Sequence, residues 1–239
     1  MKNNQLVIIG GGASIKEGIS KGLWDKLKDN FVFGLNYSYN HFPNPTAQIF
    51  VDNKFYEEKV GELKKLPLVI GKWNSNVIKL IKKEKINNTI LLKAVSQYYR
   101  NIIHGVYKSS LCGIFALTLA IYLLDEEGEI YLLGYDYSGQ GKDKKGKAIT
   151  HYYQGEPSLR HRGWSKTNYY DTRDRAKRDF EPYLKEKKIK IYNVSINSHI
   201  PTFPKITYDE FFNRLATRPQ NQDQLRSWIK TQLKNVEKK

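Results

Sequence analysis

The sequence predicts an α/β fold: a Rossmann-like, mostly parallel sheet with helices on both faces, a long lid loop and a helical C-terminus. Three observations carry this reading. Short apolar runs of strand length alternate with amphipathic runs of helix length, which is the pattern of strand-helix-strand units. Polar residues or glycines stand just past several apolar runs. The opening Leu6-Val7-Ile8-Ile9 passes directly into Gly10-Gly11-Gly12-Ala13-Ser14, which reads as strand, tight turn, helix.

Taken in order, the glycine turn is followed by Ile15, Ile19, Leu23 and Leu27 at four-residue spacing, with Trp24 alongside, one face of a first helix. Phe31 to Leu35 is a second strand ending at Asn36, and Ala47 to Val51 a third ending at Asp52. Lys54 to Lys65 is helical, and Leu68 to Ile70 is a short fourth strand. Residues 72–108 mix apolar pieces with many Lys and Asn residues and read as edge structure and loops. Ser109 and Ser110 then cap Leu111 to Leu124, a helix apolar on nearly every face and so central to the core. Glu129 to Leu133 is a strong strand that delivers Gly134-Tyr135-Asp136-Tyr137 to its carboxyl end.

Residues 138–172 lack periodicity and form the lid, a loop length that usually has a task. Ala176, Phe180, Tyr183 and Leu184 mark a helix in which Pro182 predicts a kink or an early start. Ile189 to Val194 alternates and reads as a strand near an edge. The tail, Tyr208 to Leu215 and Gln224 to Val236, reads as helices, the last one charged and loosely attached. The organisation expected is one nucleotide-binding domain over residues 1–205 and a helical tail over 206–239.

Composition narrows the function. With 239 residues, 40% of them hydrophobic, the chain can bury one good-sized core. The net charge of +16 favours an anionic partner, nucleic acid included, without proving one. One cysteine, Cys112, excludes a disulfide within the chain and suits a reduced cytoplasmic setting; in its apolar run it reads as a small buried hydrophobe. The longest apolar run, Leu111 to Leu124, is shorter than the roughly 20 residues a bilayer demands, so a soluble protein without a membrane span is expected.

The chemistry-bearing residues collect at strand ends and in the lid. Glycines let the backbone approach an anion, and the first amides of the following helix would point outward, so Gly10, Gly11, Gly12 and Ser14 are a candidate phosphate cradle. The turn fits neither a P-loop nor the dinucleotide pattern, because Lys-Ser/Thr is missing and Ile15 stands in the sixth position. Simple chain reversal is the competing reading. Asn36, Asp52, Ser109, Ser110 and Asp136 fall at the same expected sheet edge, where open parallel sheets take their ligands. Each aspartate has two readings, a ligand contact (ribose or Mg²⁺) or a helix cap.

In the lid, His151 has the side chain suited to a general base on a hydroxyl acceptor. His161 is the alternative, although Arg160 and Arg162 on either side suit an anion-binding strip better. Residues 139–178 hold 11 Lys or Arg and 4 acidic residues, interleaved with Tyr152, Tyr153, Trp164, Tyr169 and Tyr170. Cations for phosphates beside aromatic faces for bases or sugars is the mixture used for nucleotides, single strands and carbohydrates. No His/Cys cluster has zinc-ligand spacing, and there is no Gly-x-Ser-x-Gly elbow.

The order of these pieces resembles a known group. Ile8 to Ile15, a strand ending in Asn36, Phe50-Val51-Asp52, Ser109-Ser110 before an apolar helix, Tyr131 to Asp136, Thr150-His151-Tyr152, and Lys190 to Asn193 with Asn197-Ser198 run as in the sialyltransferase-like superfamily. That group comprises bacterial sialyltransferases acting on lipooligosaccharide, hydroxymethylpterin pyrophosphokinase-like domains, and uncharacterised phage proteins of the norphogenetic type, to which the chain is most similar. The resemblance spans roughly residues 6 to 205. It implies a Rossmann-like domain with the nucleotide phosphate on the glycine turn, Asn36 on the donor, and His151 or His161 as a base working without a metal. Asp52 departs from the asparagine of the sialyltransferases and agrees better with the phage and pyrophosphokinase-like members.

The expected function is therefore a nucleotide-dependent transferase, a glycosyltransferase first of all. A nucleotide-sugar donor would lie over Gly10, Gly11, Gly12 and Ser14, with Asn36, Asp52, Ser109, Ser110 and Asp136 around it. Tyr137, Tyr152, Tyr153, Arg160 and Arg162 would contact phosphate or acceptor, and modified DNA or a surface glycan is a conceivable acceptor. The alternatives are a pyrophosphoryl transferase using ATP, with Mg²⁺ on Asp52 and Asp136, and a nucleic-acid-binding protein without catalysis.

Overall fold

The structure, a computed structural model, describes residues 5–107, 111–124, 128–137, 151–153, 173–216 and 219–237. Its centre is β1 (Gln5–Ile9), whose residues alternate between the two faces of a sheet and are buried on both. Leu6 and Ile8 face one layer of helices, Val7 and Ile9 the other. On one side of β1 lie β2 (Val32–Leu35), β3 (Ala47–Phe50), β4 (Val69–Lys72) and β5 (Thr89–Leu92), in that order. A separate parallel pair, β6 (Ala94–Val95) and β7 (Val106–Tyr107), follows β5. On the other side of β1 are β8 (Gly128–Leu133) and, at the edge, β9 (Ile189–Asn193).

All pairings in the seven-stranded sheet are parallel, so the α/β reading is correct and the sheet is more uniform than expected. Buried on both faces, these strands are runs of Val, Ile, Leu and Phe, as parallel strands must be. The chain first builds outward from β1 to β5, then returns to lay β8 against the open side of β1. Between β1 and β8 the connections diverge, which makes the carboxyl ends of these two strands the topological switch point of the sheet.

The helices cover both faces. Against one face lie α5 (Cys112–Leu124), α6 (Arg173–Phe180) and α8 (Gln222–Glu237). Against the other lie α1 (Ile15–Ser20), α2 (Leu23–Leu27), α3 (Asn53–Leu63), α4 (Ser75–Lys83) and α7 (Tyr208–Arg214). Among the described residues no helix is long and apolar enough to cross a membrane.

Four local readings change. The single first helix is two, because Gly22 takes a left-handed φ of 77° and breaks it; Ile19 is then left exposed while Ile15, Leu23 and Leu27 are buried. Within 72–108, expected as edge structure and loops, stand α4 and β5. The Asn74 side chain caps α4 by accepting from Asn76 N–H (2.9 Å) and Val77 N–H (3.4 Å). Pro182 lies in a short 3₁₀ turn, Glu181–Lys185, immediately after α6, so it ends that helix. The final helix is well attached: Leu225, Ile229 and Leu233 are buried in the main core, and Trp228 meets Phe31 edge-on at 6.2 Å. Arg226 fastens it further, donating to the carbonyls of Thr46 (3.3 Å) and Pro45 (3.2 Å) and to Asn44 Oδ1 (2.8 Å).

Candidate active site

The glycine turn sits at the carboxyl ends of β1 and β8, and its amides are largely used inside the protein. Gly10 N–H donates to the Leu133 carbonyl (2.7 Å) and Gly12 N–H to the Gly134 carbonyl (2.8 Å). Ser14 donates twice to Asp136, from N–H to Oδ2 (2.8 Å) and from Oγ to Oδ1 (2.5 Å), and Ala13 N–H and Ser195 Oγ stand near the same carboxylate and favour its charged form. Asp136 is only 1% exposed. Burial pushes its carboxyl above the usual carboxylate range, against the pull of Ser14, Ser195 and Ala13. A Cβ on Gly12 would stand 2.5 Å from both Asp136 Oδ2 and the Gly134 carbonyl, which is why that position has none.

Asp136 thus works as the resident anion of the turn. Of the cradle amides expected to face outward, those of Gly10, Gly12 and Ser14 have partners within the protein. The turn presents Gly11 instead. A Cβ there would lie 2.7 Å from His151 Cδ2, 3.4 Å from His151 Nε2 and 3.1 Å from the Tyr153 hydroxyl. Gly11 therefore lets an imidazole and a phenol close over the backbone. The segment is pinned by Tyr152 N–H, which donates to the Gly11 carbonyl (2.9 Å).

An aromatic wall supports these side chains. Tyr153 packs on Tyr37 (centroids 5.6 Å apart), and Tyr37 on Phe55 (5.1 Å). Tyr152 packs on His41 (5.1 Å) and Trp24 (6.4 Å). Tyr37 keeps its phenolic proton more firmly than usual, through burial first and then the nearby carboxylates of Glu58, Asp52 and Glu62. Sequence reasoning noted Tyr37 to His41 only as polar residues past a strand; their part in the wall depends on the fold of the distant lid.

The other candidates separate by environment. Asn36 ends β2 in a left-handed conformation, with φ of 50°. Its carbonyl accepts from Gln48 Nε2 (2.9 Å), and its backbone N–H favours the charged form of the Cys112 thiol, whose Sγ donates to the Ile49 carbonyl (3.4 Å). Asp52 is exposed at the end of β3 and caps α3 through Lys54 N–H (2.9 Å). Tyr137 packs on Phe180 (5.2 Å), in the α5, α6 and α8 layer. Ser109, Ser110, Arg160, His161 and Arg162 lie outside the described residues, as does most of the lid. Ser195, which sequence reasoning missed, left no periodic or motif signal.

Behind the site the Asn193–Ser198 segment fixes the backbone that carries Asp136. Ser198 Oγ (2.7 Å) and Asn193 Nδ2 (3.1 Å) both donate to the Tyr135 carbonyl, and His199 N–H donates to the Asp136 carbonyl (2.8 Å). Among the described residues no group of three or more His, Cys, Asp or Glu side chains is placed to hold a metal. The arrangement joins an imidazole, a phenol and a glycine backbone at the carboxyl ends of β1 and β8.

No protein-family model matches the chain, and no curated protein does. Among solved structures, the crystal structure of the monofunctional alpha-2,3-sialyltransferase Cst-I from Campylobacter jejuni is similar over 98% of this chain and 95% of that one, at 15% identity and a TM-score of 0.46.

Proposed function

We propose that the chain is a glycosyltransferase that moves a sugar from a nucleotide-sugar donor to a hydroxyl acceptor, with His151 as general base. The observation that carries the reading is the convergence of the His151 imidazole and the Tyr153 hydroxyl on Gly11, at the sheet's switch point. In the reaction, the acceptor oxygen forms a bond to the anomeric carbon and gives its proton to His151. The bond from that carbon to the donor phosphate breaks, and the nucleotide leaves with the electron pair. Tyr153 would donate a hydrogen bond to the departing phosphate. Asn36 and the exposed Asp52 edge the donor side at the ends of β2 and β3.

The test is His151→Ala. A general base contributes about 10²- to 10⁴-fold, so turnover should fall by that factor while calorimetric nucleotide binding survives. Unchanged turnover would remove His151 from the mechanism. The pyrophosphoryl-transfer alternative asks Asp52 and Asp136 to share Mg²⁺. It gains no support from Asp136, which spends both oxygens on Ser14, nor from Asp52, which caps a helix.

A further inference from the structure

We propose that Asp136 is a positioning residue for His151: its carboxyl group fixes the glycine turn in the shape on which the imidazole rests. This inference builds on the reading of His151 as the base. Both flanks of the turn are anchored without Asp136. Gly10 N–H is tied to the Leu133 carbonyl (2.7 Å), and α1 is braced against α7, where a Cβ on Gly18 would run into the Tyr208 ring. Between these anchors, Gly11 and Gly12 bring no side chain to pack, and glycine has the most backbone freedom to lose. Asp136 removes that freedom. Its two oxygens take Ser14 N–H (2.8 Å) and Ser14 Oγ (2.5 Å), a two-point grip that sets orientation as well as place. The grip is itself aimed from behind, by His199 N–H on the Asp136 carbonyl (2.8 Å) and by Ser198 Oγ on the Tyr135 carbonyl (2.7 Å).

The path from the carboxyl group to the base is short. Gly12 closes on Asp136 Oδ2, and Gly11 is the next residue. Gly11 then meets the His151–Tyr153 segment twice. Its carbonyl accepts from Tyr152 N–H (2.9 Å), and its Cβ position lies 2.7 Å from His151 Cδ2. A displaced turn therefore carries the imidazole with it, and a misplacement of about 1 Å can cost on the order of a hundredfold in rate.

The experiment is NMR of the full chain with isotope-labelled histidine and glycine. It follows the nuclear Overhauser cross-peak between the His151 ring proton on Cδ2 and the Gly11 α protons, with His151→Ala identifying the signal. Asp136→Ala should abolish the cross-peak. Asp136→Asn should keep it, because the carboxamide oxygen accepts from Ser14 N–H while its amide hydrogens donate to Ser14 Oγ. Ile229→Ala should keep it too; that residue belongs to the core layer on the opposite sheet face from Ile15, so it reports loss of stability alone. Gly12→Ala should abolish it with Asp136 intact, since its methyl would stand 2.5 Å from Asp136 Oδ2 and force the turn away. This variant carries the test if circular dichroism finds Asp136→Ala unfolded. The proposal is overturned if the cross-peak persists in folded Asp136→Ala or in Gly12→Ala, or if it is lost in Asp136→Asn or Ile229→Ala. No substrate enters the measurement, so its outcome is separate from the role of His151 as base, which the turnover of His151→Ala decides.

Discussion

Asp136 illustrates how one residue's environment decides its task. Its carboxyl is raised by burial, so the folded chain holds that proton more readily than the unfolded chain does. The sign follows by linkage: the contribution is complete below the ordinary carboxylate value and is lost as the pH climbs through the raised folded value. Asp136→Asn should therefore flatten the fall of stability with pH above about 4, read from denaturant midpoints over a pH series. Equal slopes in the two proteins would show that Asp136 titrates normally. Cys112 gives a second residue-scale expectation. Burial pushes its thiol up to about 12 from 9.0, although Asn36 N–H counteracts. At mildly alkaline pH the thiolate population is then lower by about a thousandfold than for an unshifted thiol, and iodoacetamide should label the native chain that much more slowly than the denatured one. Sequence chemistry singled out His151, because a histidine among tyrosines in a long loop is legible as such. It could not tell a ligand-facing carboxylate from an internal one, since Ser14 and Ser195 meet Asp136 only in three dimensions.

Among elements, the legible ones had a single strong period. β1, β2, β3, β8, β9 and α5 fall close to where apolar runs place them. α4 and β5 were hidden by composition: Val77, Leu80 and Ile81 do make a helix face, but lysines surround them. The misjudged helix is α8, whose charge drew attention from a stripe of Leu225, Ile229 and Leu233 at four-residue spacing. Ile229→Ala should cost about 2–4 kcal/mol of stability in urea unfolding, a core-sized effect. A loss under about 0.5 kcal/mol, the size of an ordinary surface change, would mean that α8 contributes little to the fold.

For the whole molecule, the topology explains why the site is where it is. β1 is the strand on which both halves of the sheet are built, and the candidate site stands where their connections diverge. Legibility at this scale was good for fold class and poor for assembly, because strand order depends on pairings such as Gln5 with Glu129 that no local pattern encodes. The net charge of +16 is likewise a property of the whole, and it favours encounter with an anionic donor before any specific contact forms.

The place of β1 also sets a clock. Its register with β8 joins residues 124 apart, so during synthesis at about 5–20 residues per second β1 waits roughly 6–25 s for that partner to be made. Through that interval one flank of the most apolar part of the sheet is an unpaired edge, open to any other extended chain nearby. The strand that later supports the glycine turn is thus the nascent chain's most exposed liability, and β8 removes it at the same moment as it brings Asp136 to Ser14.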